Sequence, residues 1–126
     1  MSAQSPRRVL SPHLQVYRLP LNAWISLLHR ITGLLWCLGL LGATGLLWVV
    51  AAGQGWPAAQ AALGSPWGRV ASILAIYALW FHWASGLRHL LFDFGFGFAA
   101  PVVRVGAWAV PWVALLGTGL LWSWMG

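Results

Sequence analysis

Three long stretches without a charged residue restrict what this chain can fold into. The stretches are residues 31–52, 70–87 and 105–126. Each approaches or exceeds the roughly 20 residues that cross a hydrocarbon layer about 30 Å thick. Helices are the expected structure, because backbone polar groups must be satisfied within lipid and the stretches are too long and too uniform for barrel strands. The sequence therefore predicts an all-α membrane protein with three transmembrane helices. These helices are expected at about residues 22–52, 67–92 and 103–124.

The overall composition supports the same fold class. The 126 residues are 60% hydrophobic and only 6% charged, whereas about a quarter of the residues in an ordinary soluble domain are charged. A chain of this length and composition is expected to form one membrane domain, without a soluble core that could house an active site of its own. We therefore expect a protein that is not catalytic by itself.

The arginines are distributed unevenly around the predicted helices. Five flank one side of the membrane and one flanks the other. The five are Arg7, Arg8, Arg18, Arg88 and Arg104, and the single one is Arg69. Because basic residues are retained on the cytoplasmic or matrix side, the N-terminus is expected there, with residues 1–21 forming a basic arm on the inner surface and residues 22–126 the membrane domain. The basic residues form no stripe on a soluble surface, so a nucleic-acid partner is not expected.

The end of the second predicted helix carries a polar stripe. At 100° per residue, four residues fall within about 60° of one another on one helix face. They are His82, Gly86, His89 and Asp93, the last being the only acidic residue of the chain. Polar groups along one face of an apolar membrane helix indicate a site or a helix contact.

The first predicted helix has a similar polar face near its inner end. Ser26, His29, Arg30 and Gly33 lie within about 100° of arc. Arg30 alone could be explained by snorkelling to the inner headgroups. Snorkelling does not explain why a hydroxyl, an imidazole and a small residue share that face, and this combination favours a site for an anionic or carbonyl-bearing ligand. Both polar faces lie about 12 Å from the inner helix ends, so one shared pocket in the inner half of the membrane is expected.

A large flat cofactor such as haem would suit this pocket. The His82 imidazole could supply an axial nitrogen, and the absence of a side chain at Gly86 would admit the porphyrin edge. Donors for the two propionates are available on the same two helices. These donors are Arg30, His29, Arg88 and His89. The alternative is that His82 only makes a hydrogen bond between helices, as polar membrane residues often do. Cys37 is a lone thiol without a C-x-x-C-H signature, which excludes covalent haem attachment.

Three segments carry recognisable motifs in a fixed order. They are Ser11-Pro12-His13-Leu14-Gln15-Val16-Tyr17, Ser26-Leu27-Leu28-His29-Arg30-Ile31-Thr32-Gly33 and His82-x-x-x-Gly86-x-Arg88-His89-x-x-x-Asp93. The first resembles the N-terminal arm of the cytochrome b subunit of succinate dehydrogenase, the membrane anchor of respiratory complex II. The other two resemble the S-x-x-H-R-x-[ST]-G signature and the second signature of that family. The resemblance extends over the full length of the chain.

The resemblance implies a role for each motif residue. His82 corresponds to the axial ligand of haem b, and the opposite ligand would come from a partner chain. Ser26 and Arg30 match the ubiquinone-site residues, with Arg30 also near a haem propionate. His29 and His89 match positions beside the haem edge, in the propionate region. Residues 22–126 would thus form an anchor domain that binds haem and quinone.

The resemblance also implies partners and a location. This chain would pair with a second small three-helix membrane subunit and dock an iron-sulfur subunit and a flavoprotein subunit. It would lie in the lipid of a bacterial or mitochondrial inner membrane. Electrons from succinate would pass through the iron-sulfur subunit to ubiquinone. Two alternatives stay open, namely a haem-free or fumarate-reductase-type anchor and a small transporter subunit with Arg30 and Asp93 on the substrate path.

Overall fold

The computed structural model describes residues 18–125 and contains four helices there. They are α1 (Leu21–Ala51), α2 (Trp56–Gly64), α3 (Pro66–Asp93) and α4 (Ala100–Met125). Three of them, α1, α3 and α4, are long and apolar enough to cross a membrane. The predicted fold class is confirmed, and the expected bounds differ from the observed ones by one to three residues. The motif at residues 11–17 and most of the predicted arm lie outside the described residues, so the arm stays a prediction.

The short helix α2 was not predicted. Its nine residues rise only about 14 Å, too little to span a bilayer. The sequence nevertheless contains local signals for this helix. Gly55 takes a left-handed φ of 78° just before it, Pro57 occupies the first turn, where its missing N–H is harmless, and four alanines favour helix within it. The apolar linker between α1 and α3 thus forms a separate short helix with a turn on each side.

The start of α3 is set by a serine cap. The Ser65 hydroxyl accepts a hydrogen bond from the Gly68 N–H at 3.1 Å, which satisfies one of the free donors of the first turn. Gly68 also lies so close to the end of α2 that a side chain there would collide with the Ala62 carbonyl oxygen. At the other end Gly95, with φ of 83°, turns the chain out of α3 toward α4. These turns bring the three long helices into an antiparallel up-down-up order.

Helix α3 packs between α1 and α4 and forms the centre of the bundle. Its contact with α4 is close because small residues line it: Ala107 and Ala114 are fully buried, and a side chain atom added at Gly117 would lie 2.5 Å from Trp80 Cε2. The buried core is small and consists of Ile25, Phe81, Ala107, Val110 and Ala114. Most leucines and tryptophans face outward, as expected for helices whose surroundings are lipid or other apolar helices.

Candidate functional site

Three imidazoles meet between α1 and α3. The ring of His29 on α1 stacks on that of His82 on α3, with centroids 4.3 Å apart and an interplanar angle of 18°. The His89 ring, two turns farther along α3, lies 5.1 Å from His29 at a tilt of 39°. All three side chains are half-buried. The structure therefore brings together three of the predicted site residues from two separate motifs.

The His82 ring is anchored to the backbone of α1. Its Nδ1 lies 3.0 Å from the His29 carbonyl oxygen and 3.4 Å from Thr32 Oγ1. Since a carbonyl can only accept, Nδ1 must be the protonated nitrogen that donates. Both hydrogen bonds of this ring within residues 18–125 use Nδ1, and Nε2 makes none there.

Two glycines leave room for these rings. A Cβ atom at Gly33 would lie 2.8 Å from His82 Cε1, closer than real Cβ atoms approach. A Cβ atom at Gly86 would lie 3.4 Å from His29 Nε2, which is ordinary contact. Gly33 is thus required by the His82 ring itself, whereas Gly86 would tolerate a small side chain.

The predicted quinone residues lie beside the imidazoles rather than among them. Ser26 is half-buried and Arg30 is exposed on the surface of α1. Neither takes part in the ring contacts or in the hydrogen bonds of His82. Their spacing of four residues puts them on one face of α1, one turn apart. Arg30 therefore presents a charge outward from a helix that contains no other arginine, lysine or acidic residue.

Arg88 lies away from the imidazoles, although it was one of the four donors considered for a propionate. It is only 8% exposed, and its Nη2 donates to Asn22 Oδ1 at 2.8 Å and to the Val103 carbonyl at 3.2 Å. Its guanidinium lies 4.5 Å above the ring of Phe92. The helical wheel could have indicated this, because Arg88 points about 120° away from His82. Arg88 therefore joins α1, α3 and α4 instead of facing the site.

Sequence reasoning missed two other contributors, Thr32 and Asn22. Thr32 enters the sequence analysis only as part of the motif at residues 26–33, and Asn22 belongs to none of the motifs. A threonine inside a membrane helix usually bonds to the preceding turn, and Thr32 does so by donating to the Leu28 carbonyl at 2.8 Å. Its additional proximity to His82 depends on the packing of α1 on α3. No sequence pattern along α1 alone contains that information.

The histidine cluster is not arranged to hold a bare metal ion. Within the described range, 18–125, no group of three or more His, Cys, Asp or Glu side chains is suitably arranged for one. The rings stack or tilt against each other instead of converging on a point. Among these residues the cluster therefore does not have the geometry of direct metal coordination by several side chains.

Comparison with known proteins identifies the family. Residues 4–121 match the family model described as the succinate dehydrogenase/fumarate reductase transmembrane subunit. The chain belongs to this family. It is 32% identical to the succinate dehydrogenase cytochrome b556 subunit of Rickettsia felis over 92% of this chain and 91% of that protein. It is 43% identical to the subunit of the same name from Paracoccus denitrificans over 71% of this chain and 70% of that protein.

A mitochondrial protein is similar as well. The succinate dehydrogenase cytochrome b560 subunit of Mus musculus is 33% identical over 91% of this chain and 70% of its own length. The resemblance found from the three motifs is confirmed. This chain is a membrane-anchoring cytochrome b subunit of succinate dehydrogenase, the membrane part of complex II.

Proposed function

We propose that this subunit binds haem b through His82 and contributes Ser26 and Arg30 to a ubiquinone site near the inner membrane surface. The observation that carries the haem assignment is the hydrogen bond from His82 Nδ1 to the His29 carbonyl. Histidine ligands of metals almost always donate their other ring N–H in this way, which fixes the tautomer. The alternative of a purely structural His82 accounts for Nδ1 but leaves Nε2 without a role.

The surroundings of His82 are suited to a haem edge. His29 and His89 lie within one imidazole cluster, and each can offer a ring N–H to a propionate. Arg30 can add a full positive charge from the same turn of α1 as His29. Haem b, when bound, would supply a one-electron redox centre. As the family resemblance implies, the second axial ligand would come from a partner chain.

The exposure of Arg30 supports a site shared with another molecule. A charged side chain within a membrane span costs a few kcal/mol on insertion scales unless water, protein or ligand covers it. A quinone headgroup would meet this need, since the Ser26 hydroxyl can donate to one carbonyl oxygen. Arg30 can stabilise the negative charge that develops on a quinone oxygen during reduction. Ser26 and Arg30 would therefore act on the ubiquinone substrate.

The remaining assignments concern partners and orientation. The apolar outer surface of the bundle would be covered by lipid and by a second small three-helix subunit. Iron-sulfur and flavoprotein subunits would dock on the side where Arg18, Arg88 and Arg104 lie, the cytoplasmic or matrix side of an inner membrane. Purification of the tagged chain should bring these three partners with it. An isolated chain that binds none of them and transports a solute would support the transporter alternative.

Haem ligation is tested by replacing His82 in the assembled complex. We expect His82→Ala to remove the b-type bands from the reduced-minus-oxidised spectrum, because the axial nitrogen is lost. His89→Ala is the comparison variant, because it removes a proposed propionate contact and not the axial nitrogen, so the bands should weaken at most and keep their positions. Bands that persist in His82→Ala with unchanged axial coordination would contradict the assignment. A wild-type complex without such bands would favour the haem-free alternative.

The quinone site is tested by replacing Arg30. We expect Arg30→Ala to lower the succinate-to-quinone activity about 100-fold, the usual effect of removing a donor that stabilises developing charge. Succinate oxidation with a soluble dye, measured on the complex purified through this subunit, should stay unchanged, because the dye takes electrons before they reach the quinone. Arg69→Ala removes an arginine at the opposite end of the bundle and should leave both activities intact. Equal loss of both activities in Arg30→Ala would indicate failed assembly and count against the site.

A further inference from the structure

We infer that Thr32, Gly33 and the His29 carbonyl form a clasp on α1 that fixes the orientation and tautomer of His82, which makes Thr32 and Gly33 positioning residues for the haem ligand. The inference rests on the proposed ligation of haem by His82. It assigns a role to Thr32 and Gly33 at the end of the motif at residues 26–33, which neither the quinone site nor the propionate region uses.

The first part of the clasp is a pair of acceptors aimed at Nδ1. The His29 carbonyl lies 3.0 Å from it and Thr32 Oγ1 lies 3.4 Å from it. Thr32 has a single hydroxyl hydrogen, which it directs to the Leu28 carbonyl at 2.8 Å or the His29 carbonyl at 3.0 Å. Its oxygen can then act toward Nδ1 only as an acceptor. Both groups therefore require the Nδ1–H tautomer and exclude protonation at Nε2 of the neutral ring.

The second part of the clasp is steric. The edge of the His82 ring lies against the backbone of Gly33, where an added Cβ would be 2.8 Å from Cε1 and 3.2 Å from Nδ1. A Cβ at this position would displace the ring from both acceptors, because the imidazole is rigid and cannot bend away as a flexible side chain can. The stacked His29 ring limits movement of the His82 ring perpendicular to the His82 ring plane. The His82 ring is thus restrained at its edge by Gly33, at Nδ1 by the two acceptors and on one face by the His29 ring.

The clasp has two consequences for a bound iron. A hydrogen bond from the distal ring nitrogen to a carbonyl makes the ligating nitrogen more basic. If haem is bound, the fixed plane of the His82 ring would set how the imidazole is oriented toward it, and the magnetic resonance spectrum of the ferric haem would report that orientation. Both effects come from α1, although the ligand itself lies on α3. Pairing these two helices in the correct register is therefore part of building the haem site.

The steric part is tested by a glycine pair on the same helix. A Cβ at Gly39 meets nothing within 4 Å, so Gly33→Ala and Gly39→Ala gain the same helix propensity and differ in the His82 contact. We expect Gly33→Ala to lower haem affinity about 10- to 100-fold, as loss of an outer-shell partner usually does. Gly39→Ala should bind haem as the wild type does. Haem content is measured per assembled complex, with assembly followed by succinate oxidation with a soluble dye.

The hydrogen-bonding part is tested at Thr32, which also decides the matter if Gly33→Ala fails to assemble. Thr32→Val keeps the shape and removes the hydroxyl, whereas Thr32→Ser retains it. We expect Thr32→Val to shift the haem midpoint potential and the largest g value of the ferric haem, and Thr32→Ser to restore both. A role limited to helix packing would change complex yield in Thr32→Val and leave the potential and the g value unchanged.

The outcomes separate this inference from the proposal on which it rests. If haem is lost in His82→Ala while Gly33→Ala matches Gly39→Ala and Thr32→Val matches Thr32→Ser, ligation stands and the clasp is overturned. If His82→Ala retains its bands, both are overturned. A selective effect of Gly33→Ala or Thr32→Val on the haem spectrum or potential, with the paired control unchanged, supports the clasp.

Discussion

The two faces of α3 are packed in different ways. Toward α4 the contact is close, with fully buried alanines and an indole ring lying over Gly117. Toward α1 the contact is made by half-buried imidazoles around Gly33 and Gly86. The two contacts therefore differ in what they provide. The α3–α4 contact fixes α3 by close packing, whereas the α1–α3 contact leaves histidine rings partly accessible.

The two faces also differ in how their polar groups are satisfied. Arg88 is buried, and its Nη2 donates to Asn22 on α1 and to the Val103 carbonyl on α4, whereas its Nε has no hydrogen-bond partner among residues 18–125. On the α1 side Arg30 is exposed, and His82 has only Nδ1 engaged within the described residues. The Nη2 hydrogen bonds tie Arg88 into the packing of the three helices, whereas the exposed guanidinium of Arg30 is accessible to a ligand. The difference distinguishes an arginine with a structural role from a candidate functional one.

The largest expected effect on stability comes from Arg88. Arg88→Ala removes two hydrogen bonds and the packing over Phe92, and it leaves a cavity among three helices, at a cost of about 3 kcal/mol. We expect a lower thermal midpoint of the purified complex, with the haem spectrum of the assembled fraction unchanged. Arg69→Ala, at an exposed position, should leave the midpoint unchanged. Loss of haem without loss of stability in Arg88→Ala would contradict the structural role.

The next effect concerns the close contact of α3 with α4. Gly117→Ala puts a Cβ against the Trp80 indole, and overpacking of this kind costs about 1–3 kcal/mol. Gly119→Ala is the matched control, since a Cβ there meets nothing within 4 Å. We expect only Gly117→Ala to lower the thermal midpoint. Equal midpoints for the two variants would show that the α3–α4 contact is not close-packed around Trp80.

A smaller effect is expected at Gly86, on the α1 side. A Cβ at Gly86 would lie 3.4 Å from His29 Nε2, an ordinary contact that should change stability by less than about 1 kcal/mol. Within this subunit, Gly86→Ala should therefore be milder than Gly33→Ala in its effect on haem content. Haem loss as large as that of Gly33→Ala would mean that Gly86 contacts the cofactor directly, as the sequence interpretation proposed.

The smallest effect is expected at Ser85. This side chain is fully buried, and its hydroxyl has no hydrogen-bond partner among residues 18–125. Ser85→Ala removes an unsatisfied polar atom and almost no volume, so the midpoint should stay within about 1 kcal/mol of wild type or rise slightly. Thermal unfolding of the purified complex measures this. A clear loss of stability would reveal a partner for Ser85 that lies on another molecule.

Much of the fold could be predicted from the chain's local properties. Hydrophobic length alone predicted α1, α3 and α4, because lipid leaves the backbone no alternative to helix. The same reasoning missed α2, since a nine-residue apolar segment with proline and flanking glycines does not have the length of a span. Its structure depends on turn chemistry at Gly55 and Ser65 rather than on hydropathy.

The candidate site was predicted in part. The stripe of His82 and His89 and the face with His29 followed from helical periodicity, and in the structure these three rings lie together. The roles of Arg88 and Thr32 could not be assigned, because they depend on which neighbouring helix each side chain meets. Periodicity relates residues along one helix and carries no information on the rotation of one helix against the next.

By itself, the sequence determined that three helices cross a membrane and that two of them carry polar faces at matching depth, because hydrophobic length and the 3.6-residue period act within each helix. Only the tertiary structure decided that the His29 carbonyl and Gly33 hold His82 and that Arg88 turns to Asn22 and Val103. These contacts depend on the register and rotation of each helix against its neighbours. Register and rotation are set jointly by all the small residues at the helix contacts, so no single helix determines them.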